Sequence, residues 1–301
     1  MQQSGRIAKG IYPCSKTIAA LESIQLKFLE MPSEKVPVLI CGMPDTGYVG
    51  RLAPYYLTQA LKASKIADLY SKYFPAQIQI YEDGTAGLLK GELFWSKTTN
   101  LLIFTGDSQA TTAEGQHIVS EKIVKIGSEL GVKKVFTLGA FITGAMVKDP
   151  SVYGTATSPE LLGELQVHNV KTMSEGTITG MNGLLFGLAK MYGMDSVGLY
   201  GETSGFGADE KAAKAILKML EKILNVALDY SAIKPDKTVL SGEDQNPESE
   251  EGHNNDREYI RKLALSAADR EYGSCIGAHN FPIFIFCKIK TKLVIGAWYC
   301  E

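Results

Sequence analysis

The chain has 301 residues, 45% hydrophobic and 21% charged, which is enough for one large domain or two small ones around a substantial core. A formal net charge of -2 offers no general attraction to nucleic acid or to an anionic membrane, so neither is expected as a partner. Five cysteines without a C-x-x-C pair give neither metal-ligand spacing nor a disulfide framework, and Met1 to Pro13 contains no apolar h-region. A reducing, cytoplasmic location is therefore expected.

Residues 1–22 are read as a leader, and Ser23 to Glu30 followed by Met31-Pro32-Ser33-Glu34-Lys35 as a strand and turn. Val38 to Cys41 reads as the first buried strand. Arg51 to Ser64 follows as a helix, with Leu52, Tyr55, Tyr56, Gln59 and Leu61 on one face and Pro54 confining its regular start. Ala76 to Tyr81 and Gly87 to Trp95 flank an Asp83-Gly84 turn and read as two antiparallel strands, which makes the sheet mixed. Thr111-x-x-Glu114 reads as a capping box opening a helix to about Leu130, stopped at Gly131. Lys134 to Leu138 and Val152 to Ala156 read as strands, Pro159 to Leu165 and Asn182 to Tyr192 as helices, and Val197 to Tyr200 as the last buried strand. Asp209 to Leu224 places Ala212, Ala213, Ile216, Leu217, Leu220, Ile223 and Leu224 on one stripe, the pattern of an amphipathic helix over a sheet.

The principal domain is thus expected over residues 23–233. Residues 234–256 read as an acidic flexible linker, because their composition turns to Pro, Asp, Glu, Ser, Gly and Asn. A C-terminal helix and an apolar tail are expected over 257–301, where lysines interrupt the apolar runs well short of the ~20 residues a membrane span needs.

Four apolar runs end on a glycine: Val38 to Cys41 before Gly42, Leu101 to Thr105 before Gly106, Val135 to Leu138 before Gly139, and Val197 to Tyr200 before Gly201. Runs of this kind, separated by helical patterns, mark parallel strands buried on both faces. Their carboxyl ends are where an open α/β sheet meets ligands and partners. Asp45, Asp107 and Glu202 follow three of these glycines, and their convergence there would give candidate acid/base groups or a cation site. As helix caps they would instead satisfy loop N–H groups.

The segment Gly42-Met43-Pro44-Asp45-Thr46-Gly47-Tyr48-Val49-Gly50 has the place of a phosphate loop but lacks the Lys and Ser/Thr that a Walker loop requires. Asp45 also stands where a dinucleotide loop needs its first glycine. The segment reads as a tight strand-to-helix turn. No Gly-x-Ser-x-Gly elbow and no His pair accompany the acids, so no cofactor or metal is expected. Ile178-Thr179-Gly180-Met181-Asn182-Gly183 reads as a close helix-to-sheet contact.

In this order the motifs resemble the ATP-independent, archaeal-type proteasome assembly chaperone family. The resemblance is carried by Gly42-x-Pro44-Asp45-x-Gly47-x-Val49-Gly50, Phe74-Pro75, Thr105-Gly106-Asp107-x-Gln109 and Glu129-Leu130-Gly131-Val132. It continues through Val152-x-Gly154-x-Ala156-Thr157, Ile178-x-Gly180-x-x-Gly183-Leu184-Leu185, Gly201-Glu202-Thr203 and Asp209-x-x-Ala212-Ala213, so that it spans roughly residues 23 to 228. The resemblance implies a three-layer α/β/α sandwich similar to phosphorylase/hydrolase-like proteins, with a mixed, mostly parallel sheet. It further implies a homo-oligomeric chaperone that binds proteasome α-type subunits. No catalytic residue is carried over, and the loop residues Gly42, Pro44, Asp45, Gly47, Gly106, Asp107, Gln109, Glu202 and Thr203 become candidates for ligand or partner contact. Some relatives dock through a C-terminal hydrophobic-Tyr-x motif, and Trp298-Tyr299-Cys300 has that pattern with Glu301 beyond it. The alternative is a small-molecule enzyme, hydrolase- or phosphorylase-like, using Asp45, Asp107 and Glu202.

Overall fold

The computed structural model describes residues 23–81, 83–145, 147–236 and 239, together with 288–289 and 292–293. The chain divides into two units, Met1–Gln245 and Asn246–Glu301. In the second, β12 (Lys288–Ile289) and β13 (Lys292–Leu293) pair antiparallel. The expected leader and the helix beginning at residue 257 lie outside the described residues.

The first unit is built on nine strands: β1 (Ile24–Phe28), β2 (Val38–Cys41), β3 (Ser64–Ser71), β6 (Gly91–Ser96), β7 (Leu101–Gly106), β8 (Lys134–Ile142), β9 (Val152–Ala156), β10 (Lys171–Thr172) and β11 (Asp195–Thr203). They lie in the order β1-β3-β6-β7-β2-β8-β11-β9-β10. The four central strands β7-β2-β8-β11 are parallel, β9–β10 is parallel, and β1-β3-β6-β7 and β11–β9 are antiparallel. The sheet is mixed, with its parallel part confined mainly to the centre.

Alternation of side chains across the pleat supplies both helical layers. Leu39 and Cys41 of β2 point to the layer of α2 (Ala113–Glu129) and α4 (Gly180–Met191), where Val119, Ile123, Met181 and Leu185 are buried. Ile40 points to the layer of α1 (Val49–Ala60) and α5 (Glu210–Leu224), where it joins Leu52, Tyr56, Ile216 and Leu217. The short helix α3 (Pro159–Val167) packs its buried Leu161 and Leu165 near β9, with Pro159 at its first position and Ser158 accepting from Leu161 N–H. The expected α/β/α sandwich is therefore present, and no described helix is long and apolar enough to cross a membrane.

Several local expectations change. The helix expected from Arg51 begins at Val49 and ends at Ala60, and the strand β3, absent from the sequence reading, starts at Ser64. The stop is hard to see because Lys62, not glycine, takes the left-handed position at φ 50°. The strand expected over Gly87 to Trp95 is two strands: β5 (Ala86–Leu88) closes a small separate hairpin with β4 (Ile78–Ile80), and β6 enters the main sheet. The cap of α2 is Thr112, which accepts from Gly115 N–H, while the hydroxyl of Thr111 donates to the Tyr73 carbonyl. Lys234 to Asp236, expected in the linker, belong to the fold: Lys234 N–H donates to Gln59, and Asp236 is 3% exposed beside Arg51.

Gly42 shows how tightly the first helix meets the sheet. A Cβ there would overlap the Gly50 carbonyl, and the neighbouring Pro54 ring is within 3.0 Å of the same point. Pro54 has no N–H to bond that carbonyl, so the helix begins with it turned onto the strand end. Gly42→Ala should lower stability by about 3 kcal/mol, since the opposing atoms are backbone and cannot rotate away. Urea unfolding followed by circular dichroism would measure it, and a loss below ~1 kcal/mol would contradict this packing.

Candidate functional site

At the carboxyl edge of the central strands, the loop after β2 runs through Met43, Pro44 and Asp45 into a single 3-10 turn, Thr46–Tyr48, and then α1. Gly47 sits at φ 73° and Tyr48 at φ 53°, so neither can cap α1 in the usual extended geometry. Asp45 does so from outside the helix: its Oδ1 accepts from Gly50 N–H at 2.8 Å, and Oδ2 accepts from Ala140 N–H of β8 at 2.7 Å. Burial pushes the Asp45 carboxyl up to about 7, against the opposing pull of those two N–H groups.

Two side-chain amides fasten this loop to α4. Asn182, 4% exposed, accepts from Met43 N–H at 2.9 Å and donates to the Met43 carbonyl at 3.1 Å. Gln109 donates to the Pro44 carbonyl at 2.7 Å and accepts from Met181 N–H at 2.8 Å. Gly180 adopts φ 74°, and a Cβ there would lie 2.6 Å from the Gln109 oxygen. The glycines of this segment thus make room for a hydrogen-bonded clasp as well as for close packing.

The other acids lead in other directions. Asp107, after β7, accepts from Arg51 at 3.1 Å and from Lys90 N–H at 3.0 Å, which ties it to the segment entering β6. Glu202, in β11, accepts from Ser151 N–H at 3.1 Å, just before β9. Asp45 is tied to β8. Of the two readings of Asp45, Asp107 and Glu202, the structure shows the second: each carboxylate accepts from backbone N–H groups and joins its own strand end to a different neighbour. Backbone N–H groups without a ladder partner, on segments that neighbour each strand end, need acceptors, and these acids supply them across the sheet edge.

The remaining sequence candidates also make contacts within the fold. The Gly106 carbonyl accepts from the Arg51 guanidinium at 2.6 Å. Thr203 donates to Asp209, the N-cap of α5, at 2.7 Å, and Gly47 lies close enough that a Cβ would meet the Thr203 hydroxyl at 3.2 Å. Trp298, Tyr299 and Cys300 lie outside the described residues.

Sequence reasoning missed Arg51 and Asp236. Arg51 is 8% exposed and links Asp107, the Gly106 carbonyl and Asp236, whose Oδ2 is 2.9 Å from its Nε. An arginine on the buried face of a helix was a signal, but its partner lay in a stretch with the composition of a linker.

Pro44, Asp45, Gln109, Asn182 and Tyr200 help to line a cleft of about 870 Å³, together with Met173 and the segment from Glu175 to Gly180. Among the strand-end acids only Asp45 lines it. No group of three or more His, Cys, Asp or Glu able to hold a metal occurs among the described residues.

A mixed sheet between two helical layers, with a glycine-rich β2–α1 turn clasped to α4, defines the class of protein. The chain belongs to the PAC2 family, whose profile matches residues 39–278. It is similar to PbaB of Pyrococcus furiosus, described as an archaeal proteasome activator, with 31% identity, a TM-score of 0.66, and coverage of 76% of this chain and 100% of that one. It is also similar to PbaA of the same organism, an archaeal homolog of proteasome-assembly chaperone, with 25% identity, a TM-score of 0.61, and coverage of 81% and 98%. An uncharacterised protein of Methanocaldococcus jannaschii is 35% identical over 199 residues, 65% of this chain and 77% of that protein.

Two outcomes follow. Arg51→Leu leaves Asp107 and Asp236 without their common cation and should cost about 3–5 kcal/mol in urea unfolding. For Asp45 the folded value, about 7, lies above the ordinary 3.8, so the folded chain retains a proton that the unfolded chain has released. The resulting stabilisation is full below pH 3.8 and lost as pH rises through about 7, with an upper bound of about 4 kcal/mol. Unfolding midpoints measured from pH 4 to 8 should fall across this window in the parent chain, and this component should be missing in Asp45→Asn.

Proposed function

We propose that the protein is a homo-oligomeric chaperone or adaptor that binds proteasome α-type subunits and assists proteasome assembly. The observation that carries this reading is the likeness to two proteins of Pyrococcus furiosus, over nearly their whole lengths, that are described as a proteasome activator and a proteasome-assembly chaperone homolog. The separation of the strand-end acids supports a binding role over the three-acid enzyme, because each carboxylate is already engaged with a different segment.

The surface supports protein contact as well. In the β4–β5 hairpin, Ile78 pairs with Leu88 and Ile80 with Ala86, so all four side chains share one face. Ile78, Ile80 and Leu88 are 58%, 66% and 63% exposed. A contiguous exposed apolar row on a two-stranded hairpin is the kind of surface that a protein partner or a second copy covers. Trp298, Tyr299 and Cys300 are the tail residues proposed for docking.

Mixing the full chain with archaeal proteasome α subunits and measuring mass by size-exclusion chromatography with light scattering tests the reading. The expected result is a joint peak heavier than either component, and Trp298→Ala/Tyr299→Ala should weaken it at least roughly tenfold. A folded full chain that elutes apart from the α subunits at tens of micromolar would overturn the proposal.

A further inference from the structure

The cleft beside Asp45 is not accounted for by that reading. Its volume, about 870 Å³, is that of a small-molecule site, and it lies at the carboxyl ends of β2, β8 and β11 against the start of α4. The clasp described above holds its wall in place: the amides of Gln109 and Asn182 are each engaged at both ends, and both Asp45 oxygens are fixed by backbone N–H groups. A wall fixed in this way loses little conformational entropy on binding.

The chemistry of the lining selects the ligand. None of the described residues lining the cleft is Lys, Arg or His, whereas Asp45 and Glu175 are carboxylates and Ser108, Gln116, Thr177 and Thr179 carry hydroxyl or amide oxygens. Each Asp45 oxygen accepts one backbone hydrogen bond and keeps further acceptor capacity. The apolar part is Phe141 and Ile142 of β8, and the Phe141 ring is held by stacking on Tyr153 with centroids 3.8 Å apart. Such a lining has acceptors and negative charge at one place and an apolar wall at another.

We propose that this cleft binds an alkylammonium group, carried either by a lysine side chain of a partner protein or by a free polyamine, with the ammonium against Asp45 and the methylene stem along Phe141 and Ile142. The proton balance is simple. An ammonium needs ionised Asp45, so at pH below about 7 binding expels the carboxyl proton, and between pH 6 and 8 the affinity should rise about tenfold. The other ionisable groups lining the cleft are Tyr200 of β11, which interacts with Asp45, and Glu175 of the loop before α4. The nearest charge on α1, Arg51, is directed to Asp107 and Asp236, and α4 presents the neutral Asn182.

Isothermal titration of the full-length protein with spermidine and, separately, with N-acetyl-lysine methylamide tests the proposal at pH 6, 7 and 8. Saturable binding of either probe is expected, tightening about tenfold across this range, with loss of the pH dependence in Asp45→Asn. Thr177→Trp, which fills the cleft from an exposed wall position without touching Asp45, should abolish it and serves if Asp45→Asn does not fold. Binding of the lysine derivative alone assigns the site to a partner's side chain, and binding of spermidine alone to a free amine. No binding of either probe by folded protein at pH 8, binding independent of pH, or binding unchanged by Thr177→Trp would overturn the proposal. None of these outcomes depends on whether the protein binds proteasome subunits.

Discussion

Much of the structure depends on how the backbone of Met43 is held. Met43 is fully buried where β2 leaves the sheet, and its N–H and carbonyl are both taken by one side chain, Asn182 of α4. A buried peptide without partners would cost ~1–3 kcal/mol for each orphaned group, so the contact matters more for what it prevents than for its net gain of about 1 kcal/mol per bond. It also sets geometry. With Met43 fixed, Pro44 and Asp45 are placed to meet Gln109 and the N–H of Ala140, and α1 starts with its Gly50 carbonyl against Gly42. Four elements, β2, β8, α1 and α4, are thereby registered by side chains from two distant parts of the sequence.

A second buried cluster performs the corresponding task beside β7. Arg51 reaches the Gly106 carbonyl and Asp107 on one side and Asp236 on the other, and so joins the start of α1 to a strand end and to the segment that follows α5. Buried ion pairs are weak evidence for added stability, because desolvation of the charges offsets most of their attraction. Their directional bonds nevertheless fix where a polar chain segment lies, and this one brings Lys234 to Asp236 back onto the fold.

The acids at the strand ends show how one residue pattern can lead to two different outcomes. A carboxylate just after a strand can face a ligand or satisfy the N–H groups that the sheet leaves open. Asp107 and Glu202 take the second role, toward Lys90 and Ser151. Asp45 takes it too, but it also lines the cleft, so that burial raises its carboxyl into the neutral range. Nothing in the spacing of the three glycines distinguishes these fates, since the difference lies in which neighbouring strand supplies the donor.

The sequence alone determined the features set by local periodicity and composition. The apolar runs of β2, β7, β8 and β11, the stripe of α5, the Gly131 stop and the order of motifs that marks the family were all legible, because burial on both faces or on one stripe constrains residue type directly. Where the chemistry was ambiguous, the reading shifted or failed: Thr112 caps α2 in place of Thr111, and Lys62 ends α1 without the glycine that would announce it. Only the tertiary structure decided that Asp45, Asp107 and Glu202 separate, that Asn182 grips Met43, and that Asp236 returns to Arg51 from a segment with the composition of a linker. Each of these outcomes rests on one or two directional hydrogen bonds between residues distant in sequence, and such bonds leave no periodic trace in the chain.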